Sequence, residues 1–502
     1  MTMAPLSPRG VAVRLFLTCW LVYALHFATN TVREIYPALS LGDHLSFDVS
    51  EYLGFHSDLF AVPGRGAFIN NNPGASMVGA VPYVLARPGI ARVVTRVQQR
   101  RAAEGTAATS GYASPWPLAR EFVRKARDRG LDVKFALGAW VMQAFAMAPL
   151  SALSVALMFT ILRSLTRSTR AAGWLAVLYA FATPVLYRTA QLNQNLLVAH
   201  CALFAFALLW RPWDDPATPG RPHYFVAGLL SGWAVVCDYS GAVVVAVLAV
   251  YAALRRRDLP PGARARDDLG RFAVGTGIGI GVLLAYQWSC FGNPFLPAQH
   301  YMPPAKFTPR GYVGMDWPQL DLLWATAVDV RFGLFVSAPL LGLALYPPGW
   351  FAPTRLVGRH EAVCIAVFCG LFLLFCSANQ YGRMQFNTGV RHVVPVVPFL
   401  YVIVAGVVQR LPAALAVLIG VGTTYWSWCL AMYRDVEIGS GVIDSIAVVS
   451  RSGPQFPWLT TLERLGYVRG GTLEIPVLLV TLLVIGAVWL LRPERAAGVS
   501  LP

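Results

Sequence analysis

The stretch that decides the fold is Val393-Val-Pro-Val-Val-Pro-Phe-Leu-Tyr-Val-Ile-Val-Ala-Gly-Val-Val408, a break at Gln409-Arg410-Leu411-Pro412, and then Ala413-Ala-Leu-Ala-Val-Leu-Ile-Gly-Val-Gly-Thr-Thr-Tyr-Trp-Ser-Trp-Cys-Leu-Ala-Met432. Arg410 is its only charged residue. A spanning helix needs about 20 apolar residues, so two such runs around a basic hinge read as a hairpin across a bilayer. Similar runs recur in both directions, near 11–29, 135–162, 171–187, 195–210, 223–237, 240–254, 272–291, 332–346, 361–377, 393–408, 412–432 and 473–491. They predict an all-α polytopic transmembrane bundle of about twelve spans, occupying residues 1–502 as one domain. The run at 11–29 follows Arg9 and Arg14 but lacks a small-residue cleavage site, and reads as a retained anchor.

Composition agrees. Of 502 residues, 56% are hydrophobic and 13% charged, with mean hydropathy +0.53, against roughly 25% charge in an average soluble chain. A soluble globular enzyme is excluded. The net charge of +16 is concentrated in short loops beside apolar runs: Arg163–Arg170, Arg211–Arg221, Arg255–Arg271, Arg355–Arg359, Arg410 and Arg492–Arg495. That is the positive-inside pattern of a bacterial inner-membrane protein with both termini cytoplasmic, and not a nucleic-acid footprint. The opposite face then carries residues 30–134 as a long first periplasmic loop, 188–193, Asp238, 292–331, 378–392, and 433–472 as a late periplasmic loop. Arginines crowd residues 87–134, and Pro82 and Pro88 interrupt the apolar stretch before them. Amphipathic helices on the outer membrane surface are therefore expected there. Asp214-Asp215 and Asp267-Asp268 fall in cytoplasmic loops and read as solvated. The eight cysteines lie in or beside apolar runs without a CxxC spacing and read as small buried hydrophobes, with neither a zinc site nor a disulfide framework.

A first loop of about a hundred residues far exceeds the usual helix–helix connection of roughly 2–8. It holds Glu34, Asp43, Asp48, Glu51 and Asp58. A carboxylate at a membrane boundary can take a proton from a hydroxyl, and partial burial would raise its pKa toward working pH. Glu34 and Asp58 are the candidates; the plainer reading caps helices with them or pairs them with Arg33 and Arg65. Arg391 ends an outer loop where a span begins, placed to grip two phosphate oxygens, and His392 adds a donor. Arg331 follows Asp329, so a local ion pair competes with phosphate binding. Lys306, near His300 and Tyr301, is a further phosphate candidate. Tyr187-Arg188-Thr189-Ala190-Gln191-Leu192-Asn193-Gln194-Asn195 concentrates amides at membrane level, where Gln191 and Asn193 either bond sugar hydroxyls or cap helices. Asp238 joins two apolar runs so tightly that it falls at the boundary, a functional candidate or a cap.

Four stretches, in order, resemble one family. They are the early acid with the turn Gly64-Arg-Gly-Ala-Phe-Ile-Asn70-Asn-Asn-Pro73-Gly74; Tyr286-Gln-Trp-Ser-Cys-Phe291-Gly292-Asn293-Pro294-Phe295 with Gln299-His300-Tyr301; Asp329-Val-Arg331-Phe-Gly333-Leu-Phe335 with Pro339; and Asn387-Thr-Gly389-Val-Arg391-His392 with Pro395 and Pro398. Together they look like the GT-C glycosyltransferases, multi-spanning enzymes that use polyprenyl-phosphate sugars. The resemblance implies sugar transfer to a lipid, glycan or protein acceptor on the non-cytoplasmic face, with Asp58 or Glu34 as base. Many members carry an acid directly after the first span, where this chain has Asn30-Thr31. No Asp-Xaa-Asp occurs in the outer loops, so no metal-ligand pair is visible; no cofactor is expected, and a divalent metal stays an open alternative. The alternative is a transporter or flippase of lipid-linked saccharides, which predicts internal repeats and paired mid-span acids.

Overall fold

The computed structural model describes residues 7–103, 111–214, 222–259, 267–304, 306–351, 355–383, 388–435 and 441–490. Asp215, Asn387 and residues 492–495, and 436–440 of the late loop, lie outside them. The chain opens with α1 (Pro8–Leu25), α2 (Ile35–His44), a hairpin of β1 (Leu59–Val62) and β2 (Gly66–Ile69), α3 (Gly74–Ala103) and α4 (Pro117–Asp128). Then α5 (Asp132–Met142) continues through one π-helical turn, Gln143–Met147, into α6 (Ala148–Thr166). Next come α7 (Thr169–Phe181), the single turn α8 (Val185–Arg188), α9 (Gln194–Trp210), α10 (Tyr224–Cys237), α11 (Gly241–Asp258) and α12 (Asp268–Phe291). The remainder is α13 (Leu320–Val328), α14 (Leu334–Ser337), α15 (Arg359–Ala378), α16 (Val397–Val408), α17 (Ala413–Met432), α18 (Val442–Ser452), α19 (Pro457–Arg464) and α20 (Glu474–Leu490).

By length and composition six helical stretches could cross a membrane: Pro8–Leu25, Gly74–Ala103, Asp132–Thr166, Asp268–Phe291, Arg359–Ala378 and Ala413–Met432. Four shorter apolar helices join them, Gln194–Trp210, Tyr224–Cys237, Val394–Val408 and Glu474–Leu490. Every apolar run expected to span is mainly α-helix except 332–346, where α-helix is limited to one turn. There the chain makes α14 and then 3-10 turns over Pro339–Leu345 and Pro347–Trp350, because Pro339, Pro347 and Pro348 have no N–H to continue an α-helix. This segment runs beside α16, from Ser337, whose hydroxyl accepts from Val390 N (3.0 Å), to Gly349 against Val407.

Helices α10 and α12 meet through paired small residues. A Cβ added at Gly228 would run into Phe272 O, one at Gly232 would lie 2.5 Å from Thr276 O, and at Gly275 and Gly279 they would strike the α10 backbone. Two Gly-Xaa-Xaa-Xaa-Gly spacings facing one another let backbones touch where lipid offers no hydrophobic drive.

Residues 74–103 correct the expectation of broken interfacial helices. They form one continuous helix through Pro82 and Pro88, held by a buried face of Gly74, Ala75, Ser76, Gly79, Ala80 and Tyr83. Gly79 lies against Met142, Tyr83 faces Gly138, and Arg101 pairs with Asp132 at 2.7 Å, so α3 runs antiparallel to α5. Gln143 Nε2 donates to Tyr23 O (2.8 Å) near the end of α1. Eleven residues separate it from Asp132, about 16 Å at 1.5 Å per residue, so α3 packs beside the part of α5 that projects past α1. Helix α4 is the amphipathic one, with Ala126 buried and Arg120 and Arg124 exposed. Asp268, expected to be solvated, is buried in the first turn of α12, where a carboxylate offsets the positive end of the helix dipole. All eight cysteines are buried and free.

Candidate functional site

At the end of the bundle where α1, α10 and α12 finish and α9 begins lies a cavity of about 1620 Å³. The first loop supplies one polar wall. Hairpin pairing sets Leu59 opposite Ile69, and Asn70 N donates to Asp58 O (3.3 Å) one step further, so Asp58 and the Asn70-Asn71-Asn72 run share a strand end. The hairpin is tight because Gly66 takes φ 115°, a conformation costly for other residues, and a Cβ there would meet the Asp48 carboxylate at 2.7 Å. That carboxylate accepts from Ala67 N at 2.9 Å.

Arg33 stands between the two candidate bases. Its Nε donates to Glu34 Oε1 (3.1 Å), and its Nη1 donates to Asp58 Oδ2 and to Asn70 Oδ1 (3.2 Å). Glu34 Oε1 also accepts from Asn71 Nδ2 at 2.8 Å. His56 Nδ1 accepts from Asp58 N at 3.1 Å, which leaves that nitrogen unprotonated; burial pushes the imidazole down despite Asp58 beside it. For Asp58 the expectation of a raised pKa is overturned. Burial pushes its carboxyl up, but Arg33, His56 and Arg391 outweigh burial and hold it below the usual carboxylate range.

The facing wall carries Arg391 and His392. Their loop is clamped by Arg188, itself 4% exposed, whose Nε donates to Val390 O (2.5 Å) and whose Nη2 donates to Thr388 O (3.1 Å) and Gly389 O (2.5 Å). The Arg391 guanidinium lines the cavity and has no hydrogen bond or ion pair among the described residues. Burial, with Arg33 and Arg188 nearby, pushes it down to about 10, so it remains a cation at neutral pH. Burial and the same arginines push His392 well down.

Of the remaining sequence candidates, Gln191, Asn193 and Asp238 also line this cavity. Asn193 caps α9, its Oδ1 accepting from Leu196 N at 3.0 Å. Gln191 Oε1 is buried with no partner among the described residues. Asp238 Oδ1 accepts from Ser240 N (2.9 Å) and Oδ2 from Gln194 Nε2 (2.8 Å). Arg331, Lys306, His300 and Tyr301 lie elsewhere. Arg331 pairs with Asp329 at 3.3 Å, Lys306 sits over the Phe307 ring, His300 is exposed, and Tyr301 stacks on Phe291 with ring centroids 5.0 Å apart.

Several contributors were not read from the sequence as site residues: Arg33, Asn71, Arg188, Gln194 and Arg434. Arg434 lines the cavity, donating from Nη1 to Asn30 Oδ1 (2.9 Å) and from Nε to Thr461 Oγ1 (3.1 Å). It thereby ties α19 of the late loop onto the cavity rim. The run of three asparagines was the available signal for Asn71, since three consecutive amides at a buried turn must each find a partner. The apolar lining includes Leu118, Phe122 and Trp140 on α4 and α5, and Leu283, Phe295 and Phe375 around α12 and α15. Among the described residues no three His, Cys, Asp or Glu side chains gather as a metal site. No protein-family model matches the chain, nor does any curated protein or solved structure.

Proposed function

We propose that this chain is an integral membrane glycosyltransferase that crosses a bacterial inner membrane about twelve times, with both termini cytoplasmic. In this reading it moves a sugar from a polyprenyl phosphate to an acceptor hydroxyl at the cavity, on the non-cytoplasmic side. The observation that carries the proposal is the unpaired Arg391 guanidinium sharing one chamber with Glu34 and Asp58. An unpaired cation facing a cavity is a site for an anion, and a guanidinium suits phosphate because it presents a planar fork. The placement of α3 beside the projecting part of α5 supports reading residues 30–134 as one extramembrane unit. The four GT-C-like motifs support the choice of substrate.

The acceptor oxygen attacks the anomeric carbon from the face opposite the phosphate. The new C–O bond forms as the bond to the phosphate oxygen breaks, the electron pair leaves with the lipid phosphate, and the configuration inverts. Glu34 takes the acceptor proton, while Arg391 and His392 face the charge that develops on the leaving phosphate. Asp58 is kept ionised by Arg33, His56 and Arg391, which lower its proton affinity, and in this reading it holds Arg33 in place. Gln191 Oε1 accepts a sugar hydroxyl, and the apolar lining takes the first isoprene units.

The test is transfer by purified protein in vesicles supplied with radiolabelled polyprenyl-phosphate sugars and membrane-extracted acceptors. Wild type should transfer, and Glu34→Gln should lose about 10²- to 10⁴-fold, the range of general-base catalysis, with donor binding kept. Movement of the lipid across the bilayer without transfer, unchanged in Glu34→Gln, Asp58→Asn and Arg391→Ala, would replace this reading with a flippase.

A further inference from the structure

Glu34 and Asp238 are 204 positions apart in the sequence, yet two buried amides connect them. Asp238 Oδ2 accepts from Gln194 Nε2 at 2.8 Å, Gln194 Oε1 accepts from Asn71 Nδ2, and the other Asn71 Nδ2 hydrogen goes to Glu34 Oε1 at 2.8 Å. Asn71 and Gln194 are 8% and 4% exposed. The backbone fixes both ends. Asn72 Nδ2 donates to Val235 O (2.8 Å), and a Cβ on Gly74 would lie 2.7 Å from the Val236 carbonyl, so the asparagine turn is seated on the end of α10. Gln194 is the first residue of α9, directly after its Asn193 cap.

We propose that Asp238 is a positioning residue that sets the direction of this amide relay and so presents an N–H, rather than a carbonyl, to Glu34. A carboxylate only accepts. Gln194 must therefore turn its NH₂ toward Asp238 and its carbonyl toward Asn71, and Asn71 must spend both its hydrogens, one on Gln194 and one on Glu34. An amide at position 238 removes that constraint. With its oxygen kept on Ser240 N, the carboxamide side chain of the Asp238→Asn variant would offer its NH₂ to Gln194, both amides would turn over, and the Asn71 carbonyl would face Glu34. Glu34 would then need a proton of its own to make the bond, and a base already carrying a proton cannot take one from an acceptor. This inference rests on Glu34 as the base, but its direct readout does not need turnover.

The probe is dicyclohexylcarbodiimide, which modifies protonated carboxyl groups in apolar surroundings, read by mass spectrometry of the peptide containing Glu34 in the full-length protein in vesicles. Asp238→Asn should raise labelling of Glu34 several-fold at neutral pH. Gln194→Met, which leaves the Asp238 cap on Ser240 untouched and cuts the relay in the middle, should raise it too. The double variant Asp238→Asn with Gln194→Glu should return labelling to the wild-type level, since a carboxylate at position 194 again forces Asn71 to donate. Transfer should fall at least tenfold in each single variant and recover in the double variant, which a packing role for Asp238 does not predict. Unchanged labelling in Asp238→Asn and Gln194→Met, or raised labelling that persists in the double variant, overturns the relay. Relay-patterned labelling in a wild type that transfers no sugar keeps the relay and removes the transferase reading.

Discussion

Arg391→Ala separates a phosphate grip from a structural arginine. The guanidinium has no partner among the described residues, so nothing in the resting protein loses a hydrogen bond when it is removed. Its desolvation opposes folding while its attraction to Glu34 and Asp58 favours it, and the midpoint of thermal unfolding should therefore change little. The bound state is different. Two charge-assisted hydrogen bonds to a phosphate are worth roughly 1.5–3 kcal/mol each. At 1.36 kcal/mol per decade their loss corresponds to about 10²- to 10⁴-fold in transfer. Arg391→Lys keeps the charge but not the fork and should fall between, about tenfold below wild type. The assay pairs initial rates of sugar transfer in vesicles with thermal unfolding of the same preparations in detergent. A variant that unfolds at much lower temperature, or one that transfers at the wild-type rate, refutes the role given to Arg391.

Arg188→Met should do the reverse at the level of stability. It strands three carbonyls that the buried guanidinium now satisfies, at about 3–5 kcal/mol, so the unfolding temperature should fall and transfer with it as the Arg391 loop loosens. Asp58 has a lower pKa in the folded chain than the ordinary carboxyl value. Its contribution is therefore complete above an unfolded value of about 3.9 and lost as pH falls through the folded value. The stability difference between wild type and Asp58→Asn should hold constant down to about pH 5 and shrink below about pH 4, and a difference that instead grows on acidification contradicts the ion pair with Arg33. Gly232→Leu should force α10 from α12, because its Cβ would sit 2.5 Å from Thr276 O. Overpacking of this kind costs about 1–3 kcal/mol or more, and the displaced end of α10 should carry Asp238 away from Gln194, seen as raised Glu34 labelling.

Hydropathy made the helical, membrane-type architecture legible without coordinates, since each span is a property of consecutive residues. The same locality explains the misreadings. Pro82 and Pro88 suggested a break in 74–103, but a face of small residues packed on α2 and α5 keeps that helix whole. The run at 332–346 reads as one more α-helical span, while its prolines make it a chain of 3-10 turns alongside α16. The glycine spacings on α10 and α12 were visible, and became informative only when each was found facing the other.

By itself, then, the sequence determined a helical membrane chain and the chemical types at its loop ends, including Glu34, Asp58, Gln191, Asn193, Asp238, Arg391 and His392, which share one cavity. It also singled out Arg331, Lys306, His300 and Tyr301, which do not line that cavity. Only the tertiary structure decided who pairs with whom: Arg33 held between two acids, Arg188 clamping a loop 200 to 202 positions away, and Asn71 joined to Gln194 across 123. The reason is physical. Burial in a bilayer sums over neighbours along the chain, whereas a hydrogen bond depends on a few tenths of an ångström between atoms that only packing brings together.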